Sequence, residues 1–420
     1  MKKWHIWGWL AWLCIFILVI IALYTELQPP DKPGNGKLIE IQGSVLRGFD
    51  HGHLSWQVVC QYMWAGQNKS IFLAQKIHKG QVLDKSGETI LKNIVADNIQ
   101  VNSEHQSFLA QNNLSAQFLQ RLKEESKNPQ LITITADEFQ YLGDANQGFF
   151  RRRVILKKGK SQIIPKNNLE IDTDKNIASI QQGFTMISPQ FITSGNVMSI
   201  DIDQDVAELT ENLYIIRKAD TLSTDAKKTL DPREKTFRLQ RSFITCDSLM
   251  MTKEATHNII NAQGHIHAWQ GDKHLTGDQG HYSEKDHLFI LENHVQFQAK
   301  TLGWILDSRR KKTFKNKDML KALGMPIDVR CQKVEFNSAL KTLVLQGKVV
   351  ITQPDKEIHC EKLVYTDSDN VVTLEGNVVI EKENADTFRC ESLRLDLEKE
   401  AFSAKSSVRS LFKLKKPSPF

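Results

Sequence analysis

The feature that most constrains the fold is a repeat of about thirty residues between Phe243 and Leu397. Its first motif reads ITCDSLMM from Ile244, LTGDQGHY from Leu275, VRCQKVEF from Val329, IHCEKLVY from Ile358 and FRCESLRL from Phe388. Each copy holds an apolar residue, a small residue, a polar residue and then alternating apolar positions, as half-buried β-strands do. One such unit cannot bury its apolar face alone, so the copies must pack side by side.

A second motif follows four of these copies: NAQGHIHAW, FILENHVQFQ, VLQGKVVITQ and TLEGNVVIEK. Asn or Gln with Gly before an alternating apolar run predicts a tight turn that leads into a strand, with Gly at positive φ. Within IHCEKLVY, strict alternation would place Ile358 and Cys360 on one face of the strand and Leu363 and Tyr365 on the other. A bulge or corner between Cys360 and Leu363 is therefore predicted, because it would bring all four side chains to the same face. A corner of this kind favours two opposed antiparallel sheets.

The all-β signal extends upstream, because short β-branched and aromatic runs broken by Gly, Asn and Asp fill residues 38–220. One segment differs: Ser115 followed by AQFLQRLKEE and a proline predicts a short helix near 116–126. A polar stretch without apolar periodicity, 221–236, separates this first half from a second half at 237–412.

The amino terminus predicts a membrane anchor. After a short tail, 1–3, that contains Lys2 and Lys3, an almost unbroken apolar stretch occupies 4–24, which is long enough for a helix to cross a bilayer. The lysines favour a cytoplasmic amino terminus. A cleaved signal peptide is the alternative, but a small-x-small cleavage pattern does not follow. The Pro- and Gly-rich residues 25–37 then read as an extended tether.

The charge distribution argues against a nucleic-acid-binding protein. The net charge is +6 for 420 residues, and no stretch combines basic and aromatic residues at the density that a nucleic-acid groove requires. The basic excess is local, in Arg151 to Lys158, in an insertion at 308–324 and in the tail 413–420. Solvated loops and a surface for an anionic ligand or partner both remain open as interpretations.

No catalytic or cofactor motif is present, so we predict neither catalytic residues nor a cofactor. Seven histidines lie between His257 and His294, which raises a metallohydrolase as an alternative. The repeat register, however, places His265 and His267 on the outward face, where a solvated polar surface is the commoner arrangement. We therefore predict no metal site.

Four cysteines occupy one position of the repeat, the small residue of the first motif: Cys246, Cys331, Cys360 and Cys390. Gly277, Ala96 and Ala136 take the equivalent position, so we interpret it as a slot for a small side chain in a close-packed core. A cross-strand disulfide between neighbouring repeats is the alternative.

The inward positions are the remaining candidates for function. They are apolar, and they fill a core or, if the sheets splay, line a trough suited to acyl chains. The candidate lipid-binding residues are Phe139, Tyr141, Ile266, Leu343, Val349, Ile351, Leu363, Tyr365, Val378, Ile380, Leu393 and Leu395.

The paired motifs CDSLMM, GDQGHY, CEKLVY and CESLRL with AQGHIHAW, LQGKVVI and LEGNVVI resemble the OstA-like domain of the LptA family of lipopolysaccharide-transport proteins. The likeness runs from about Phe237 to Ala404, and it departs in the cysteines and in the basic insertion. The first half is similar to the LptC type, through its single span and the segments LSWQVVCQYMW, ITADEFQY and FITSGNVMSIDIDQDVAEL.

The resemblance implies an elongated V-shaped β-jellyroll whose apolar interior shields the acyl chains of lipopolysaccharide. It implies an inner-membrane, single-pass protein with its bulk in the periplasm, which carries lipopolysaccharide from the export ABC transporter of the inner membrane. The implied acceptor is an outer-membrane protein or a further OstA-like domain joined by edge-strand pairing. A membrane-anchored scaffold or spacer with a filled core and no lipid ligand is the alternative.

Overall fold

The structure is a computed structural model of the chain, and it describes residues 39–65, 70–118, 131–204, 206–220, 238–254, 257–301, 317–383 and 386–411. The predicted span at 4–24, the tether at 25–37, the linker at 221–236 and the tail at 413–420 lie outside these residues. Within the described ranges, no helix combines the length and the apolar character that a membrane crossing needs.

The chain is all-β, as the alternating patterns predict, with one short helix, α1 (Lys317–Leu323), and one 3₁₀ turn (Gly143–Ala145) in the described part. The first fifteen strands are β1 (Ile39–Asp50), β2 (His53–Ala65), β3 (Ile71–Leu83), β4 (Thr89–Asn102), β5 (Ser107–Phe118), β6 (Ile132–Leu142), β7 (Gln147–Arg151), β8 (Ile155–Lys158), β9 (Ser161–Pro165), β10 (Leu169–Asp172), β11 (Ile177–Ile180), β12 (Phe184–Ile187), β13 (Phe191–Gly195), β14 (Val197–Asp201) and β15 (Val206–Arg217). The others are β16 (Ser242–Glu254), β17 (His257–Gln270), β18 (Lys273–Ser283), β19 (Leu288–Ala299), β20 (Ile327–Asn337), β21 (Thr342–Gln353), β22 (Lys356–Thr366), β23 (Val371–Lys382), β24 (Thr387–Asp396), β25 (Ala401–Lys405) and β26 (Arg409–Leu411).

The strands form one continuous antiparallel sheet. Sequential strands pair from β1 to β6, and the two ends of β6 then pair with different strands, β7 and β8. Two branches, β7–β10–β11–β14 and β8–β9–β12–β13, run side by side and rejoin at β15. Sequential pairing resumes from β15 to β24, which ends against both β25 and β26.

Bulges divide this sheet lengthwise into two ladders. We call ladder 1 the part beside the turns at 51–52, 84–88, 159–160, 188–190, 271–272 and 354–355. Ladder 2 is the part beside the turns at 103–106, 143–146, 173–176, 284–287, 338–341 and 367–370. The expected two sheets are therefore two ladders of one hydrogen-bonded sheet, because a bulge changes the register of a strand without ending it.

The predicted corner between Cys360 and Leu363 is confirmed, since the β22–β23 register shifts between His359 and Lys362. The predicted turns at the second motif are wrong. Gly264, Gly347 and Gly376 do have positive φ, at 74°, 78° and 77°, but they lie inside strands β17, β21 and β23. Each is followed by a second residue at positive φ, so the glycine belongs to a corner within the strand.

The predicted helix near 116–126 is wrong at its start, because residues 116–118 continue strand β5. Ala116 pairs with Ile134 of β6, and both side chains are buried. This pairing overrides the local helical pattern. The rest of that predicted helix lies outside the described residues.

Candidate functional site

The inward face of the second half consists of two apolar rows, one on each ladder. On ladder 1, Ile351 pairs with Ile358, Ile358 with Ile380, and Ile380 with Phe388. Antiparallel pairing puts opposite residues on one face of the sheet, so these four side chains form a continuous row.

The row on ladder 2 follows from the same rule. Leu343 pairs with Tyr365, Tyr365 with Val372, Val372 with Leu395, and Leu395 with Phe402. Between the two rows, next to the bulges, lie residues such as Val349, which pairs with Cys360, and Val378, which pairs with Cys390. We call the surface formed by both rows and these central residues the groove.

Burial in the groove decreases from its centre towards its rims. Val349 and Val378, beside the bulges, have 0% exposure, and Leu393 is also buried. Leu343, Tyr365, Ile380 and Leu395, farther out on the strands, are only partly buried, while packing against the same core cluster. The groove therefore has a closed apolar floor and accessible apolar sides.

The first half has no accessible counterpart of this groove around Phe139 and Tyr141. Both side chains have 0% exposure. Phe139 stacks on Phe150 at 4.2 Å between ring centroids and meets the edge of Phe108 at 5.5 Å. These rings fill the interior, so Phe139 and Tyr141 have no free surface for a ligand.

Polar contacts close the first half by joining the turn ends of the two ladders. The hydroxyls of Ser55 and Tyr141 lie 2.9 Å apart. The Trp56 indole donates to the carbonyl of Gln106 at 2.8 Å. Because each of these bonds links strand ends of opposite ladders, they hold the sheet folded upon itself.

A second set of contacts repeats this closure at the turns. Asn146 Nδ2 donates to Asp50 Oδ2 at 3.2 Å, and Lys85 Nζ lies 2.7 Å from Asp174 Oδ2. These partners are far apart in sequence and lie in or directly beside turns of opposite ladders. Among the contacts described, those that join the two ladders in this way all lie within residues 39–217.

Acidic and amide side chains brace the corners that form the floor of the groove. Asp247 Oδ2 lies 2.8 Å from His265 Nδ1, and Asn377 Nδ2 donates to Glu361 Oε1 at 3.2 Å. His265 and Asn377 are the second positive-φ residues of their corners. In these copies of the first motif, the polar residue that follows the small residue therefore contacts the corner of the next strand.

The cysteine column is a small-residue slot beside these corners. Cys246, Cys331, Cys360 and Cys390 are free thiols and are buried, so the alternative of cross-strand disulfides does not hold for them. Burial raises the pKa of Cys246, Cys331 and Cys360 to about 11. Gly277 occupies the same slot, where an added Cβ would lie 2.7 Å from Leu291 Cγ.

The histidines lie on the outward face, as the register predicts for His265 and His267. His265 is exposed and contacts Asp247, while His267 Nε2 lies 3.2 Å from His274 Nδ1. Burial, with a smaller contribution from His274, lowers the pKa of His267. Within the described residues, no group of three or more His, Cys, Asp or Glu side chains is arranged to hold a metal ion.

In a comparison with protein families, residues 244–401 match the family "LptA/(LptD N-terminal domain) LPS transport protein". Residues 244–401 are an LptA-type domain. The groove described above lies almost entirely within this domain. The column of small residues and the corners with their polar contacts therefore lie in the part of the chain that matches this family.

Among solved structures, LptH of Pseudomonas aeruginosa, described as the LptA homologous periplasmic component of a lipopolysaccharide transport device, matches with 12% identity. The match covers 44% of this chain and 100% of LptH, with a TM-score of 0.20. No curated protein matches the chain.

Ten of the twelve predicted lipid-binding residues lie on the groove of the LptA-type domain. Ile266, Val349, Ile351, Leu363, Val378 and Leu393 are buried near the floor, and Leu343, Tyr365, Ile380 and Leu395 are on its sides. The predicted set omits other side-lining residues, namely Ile358, Phe388, Val372, Phe289 and Phe297. Their signal was present in the repeat, because Ile358 and Phe388 each open a copy of the first motif.

Proposed function

We propose that the groove of the LptA-type domain shelters the acyl chains of lipopolysaccharide, and that the chain carries this glycolipid across the periplasm without catalysing a reaction. The observation that carries the proposal is the burial gradient, with Val349 and Val378 closed and Ile380 and Leu395 accessible. A filled core would bury all four. The family match supports the substrate class.

The chemistry of the groove fits acyl chains. The described inward positions of both rows and of the floor are all uncharged, from Ile244 and Cys246 on β16 to Leu393 and Leu395 on β24. Transfer of each methylene group from water to such a surface contributes about 0.8 kcal/mol. A glycolipid with several chains gains enough from this transfer to stay in the groove while its sugars remain in water.

The ends of the sheet support head-to-tail assembly. Strand β1 exposes Ile41, Val45 and Phe49, and the other end exposes Phe402 and Leu411. Open strand edges with exposed apolar side chains favour addition of a partner strand. We assign the β1 end to the export ABC transporter of the inner membrane. The β25–β26 end then meets the outer-membrane acceptor or a further OstA-like domain.

The proposed location follows from this arrangement and from the sequence. The apolar segment 4–24 anchors the chain in the inner membrane as a single span, and the two halves of the sheet lie in the periplasm. An anchored amino terminus places the β1 end nearer the inner membrane.

A second candidate function is favoured by the filled interior of residues 39–217. Phe139, Tyr141 and Phe150 have 0% exposure there, as expected of a spacer without a lipid ligand. We propose that this half acts as a rigid spacer that positions the groove. The spacer function extends to the whole chain only if the groove takes up no lipid.

The test compares Ile380 with Val379, adjacent residues of similar exposure that point to opposite faces of β23. A photocrosslinking amino acid replaces one or the other in the full chain, and lipopolysaccharide is added. Labelling at position 380 with little at 379 supports the proposal. Equal labelling at both positions, or none at 380, contradicts it.

A further inference from the structure

Five ring side chains lie together on the outer face of ladder 1, where the two halves of the sheet meet. They come from four neighbouring strands: Tyr214 on β15, Phe243 on β16, His267 and Trp269 on β17, and His274 on β18. Their neighbours along the strands, such as Ile244 and Ile266, belong to the inward set, so alternation places the rings outside. We call these five residues the ring strip.

Four rings of the strip are stacked with nearly parallel planes, while the Tyr214 ring is tilted by 48° to that of Trp269. Phe243 and Trp269 are stacked at 5.2 Å with an interplanar angle of 19°, and His267 stacks on Trp269 at 4.8 Å and 27°. His267 and His274 are also stacked, at 5.4 Å and 20°. All five side chains are only partly buried, so the strip presents ring edges and the parts of the ring faces that stacking leaves uncovered to solvent.

Planar polar side chains continue the strip across the next two strands. Gln296 and Gln298 of β19 each donate from Nε2 to Asp328 Oδ2, at 2.6 and 2.7 Å. Gln298 is the cross-strand neighbour of both His274 and Asp328. The outer face of ladder 1 therefore changes, without a gap, from aromatic rings to amide and carboxylate groups.

A cleft of about 490 Å³ joins this outer face to the groove. Its lining includes His274, Gln298 and Asp328 from the outer face, and Ala299, Ile327 and Gln353 from the inward set. The cleft thus lies over the rim of the sheet, where a molecule passing from the inside to the outside of ladder 1 would cross. Its volume is within the range of small-ligand sites.

We propose that the ring strip and this cleft form a subsite for the saccharide part of the glycolipid carried in the groove. This inference rests on the proposed function. The faces of sugar rings carry C–H groups that pack on flat aromatic side chains, and sugar hydroxyls bond to amide, carboxylate and imidazole groups. The ring strip provides the aromatic side chains, and the strip and cleft together provide the hydrogen-bonding groups. The cleft also connects this surface to the groove that we propose for the acyl chains.

The composition of the site favours a saccharide over a protein partner or an anion. A protein-binding patch is dominated by apolar side chains at its centre, whereas here Gln296, Gln298, Asp328 and two histidines make up half of the surface. The cleft lining holds two carboxylates, Asp272 and Asp328, against one ammonium group, Lys300, and Asp328 is also paired with Arg330, so the site offers no excess positive charge to a phosphate. The neutral hydroxyl groups of a saccharide require neither an apolar centre nor an excess of positive charge.

The test measures binding of the water-soluble oligosaccharide released from lipopolysaccharide by mild acid, using isothermal titration calorimetry on the full chain. Wild type is compared with Trp269→Leu, His274→Gln and His359→Gln. His359 is the matched control, because it is also outward on ladder 1 but lies four strands from His274, beside Glu357. Each variant also carries out the Ile380 crosslinking reaction, which reports on the groove.

We expect saturable binding to wild type and His359→Gln, and about tenfold weaker binding to Trp269→Leu and His274→Gln, from the loss of ring contacts. Crosslinking at position 380 should persist in all four proteins. Absence of saturable binding to wild type, or equal affinity in all four, would overturn the subsite while leaving the groove intact. Binding without any Ile380 crosslinking would also overturn it, because the strip would then serve a free saccharide.

Discussion

At the scale of single residues, the corner of each groove strand depends on a pair of residues at positive φ and on the polar side chain above them. Gly376 has a φ of 77°, and a Cβ added there would lie 2.7 Å from Glu361 Oε2. The left-handed backbone and the overlying carboxylate therefore both require glycine.

This arrangement predicts that Gly376→Ala lowers the free energy of unfolding by about 2 kcal/mol, from backbone strain together with displacement of Glu361. The control is Gly87→Ala, since Gly87 has a φ of 84° but no atom within 4 Å of the added Cβ. That change should cost about 1 kcal/mol. Urea unfolding measures both, and equal losses would show that the carboxylate contributes nothing.

The contact between His265 and Asp247 at another corner predicts that the stability of the protein depends on pH. The hydrogen bond and charge of Asp247 raise the pKa of His265. A raised folded-state pKa means that the contact stabilises most below the unfolded pKa of about 6.5 and fades as pH rises through the folded pKa. The melting temperature of His265→Gln should fall below that of wild type near pH 5.5, and the two should converge near pH 8.5. A constant difference at both pH values would contradict this.

At the scale of strands, the first half is closed by bonds between the ends of strands that the sequence separates widely. Ser55 and Tyr141 illustrate this, because each lies on a strand end and together they join the two ladders across a buried interior. A hydroxyl left unpaired in such an interior costs the full desolvation of that group.

We therefore predict that Tyr141→Phe lowers the free energy of unfolding by about 1–2 kcal/mol, because the Ser55 hydroxyl loses its partner. The matched control is Tyr365→Phe, since Tyr365 is also inward but is partly exposed and water can replace its bond to Asp367. That change should cost less than about 0.5 kcal/mol. Similar costs at both positions would argue against a closed first half.

The strand scale also shows how far the sequence predicts this molecule. The repeat predicts the strands, the inward set and the corner near Cys360, because alternation and small residues are local signals. It does not predict that Phe139 and Tyr141 lie in a filled interior. That outcome depends on turn residues such as Asp50 and Asn146, which are 96 positions apart and follow no periodic pattern.

The glycines of the second motif show a different limit. Gln or Glu with Gly before an apolar run is typical of a hairpin turn, yet Gly347 and Gly376 lie within strands. The positive φ of these glycines was predicted, but the type of structure was not, because a hairpin turn and a corner within a strand both require a residue that adopts positive φ. Only the pairing of both flanking segments with the same neighbours distinguishes the two structures.

At the scale of the whole molecule, one sheet has two different interiors. Residues 39–217 fold the sheet upon itself around aromatic rings with 0% exposure and leave inward side chains such as Met186 partly exposed near strand ends. In residues 242–411, by contrast, both apolar rows contain partly exposed side chains, and no such rings fill the interior among the described contacts. We infer that only the second half takes up acyl chains, while the first half is a spacer.

The most direct test of this claim is photocrosslinking of lipopolysaccharide at Met186 and at Ile380 in the full chain. Both side chains point inward, and both are partly buried against the core, on β12 and β23 respectively. We expect strong labelling from position 380 and none above background from position 186. Comparable labelling from both positions, or labelling from position 186 alone, would contradict it.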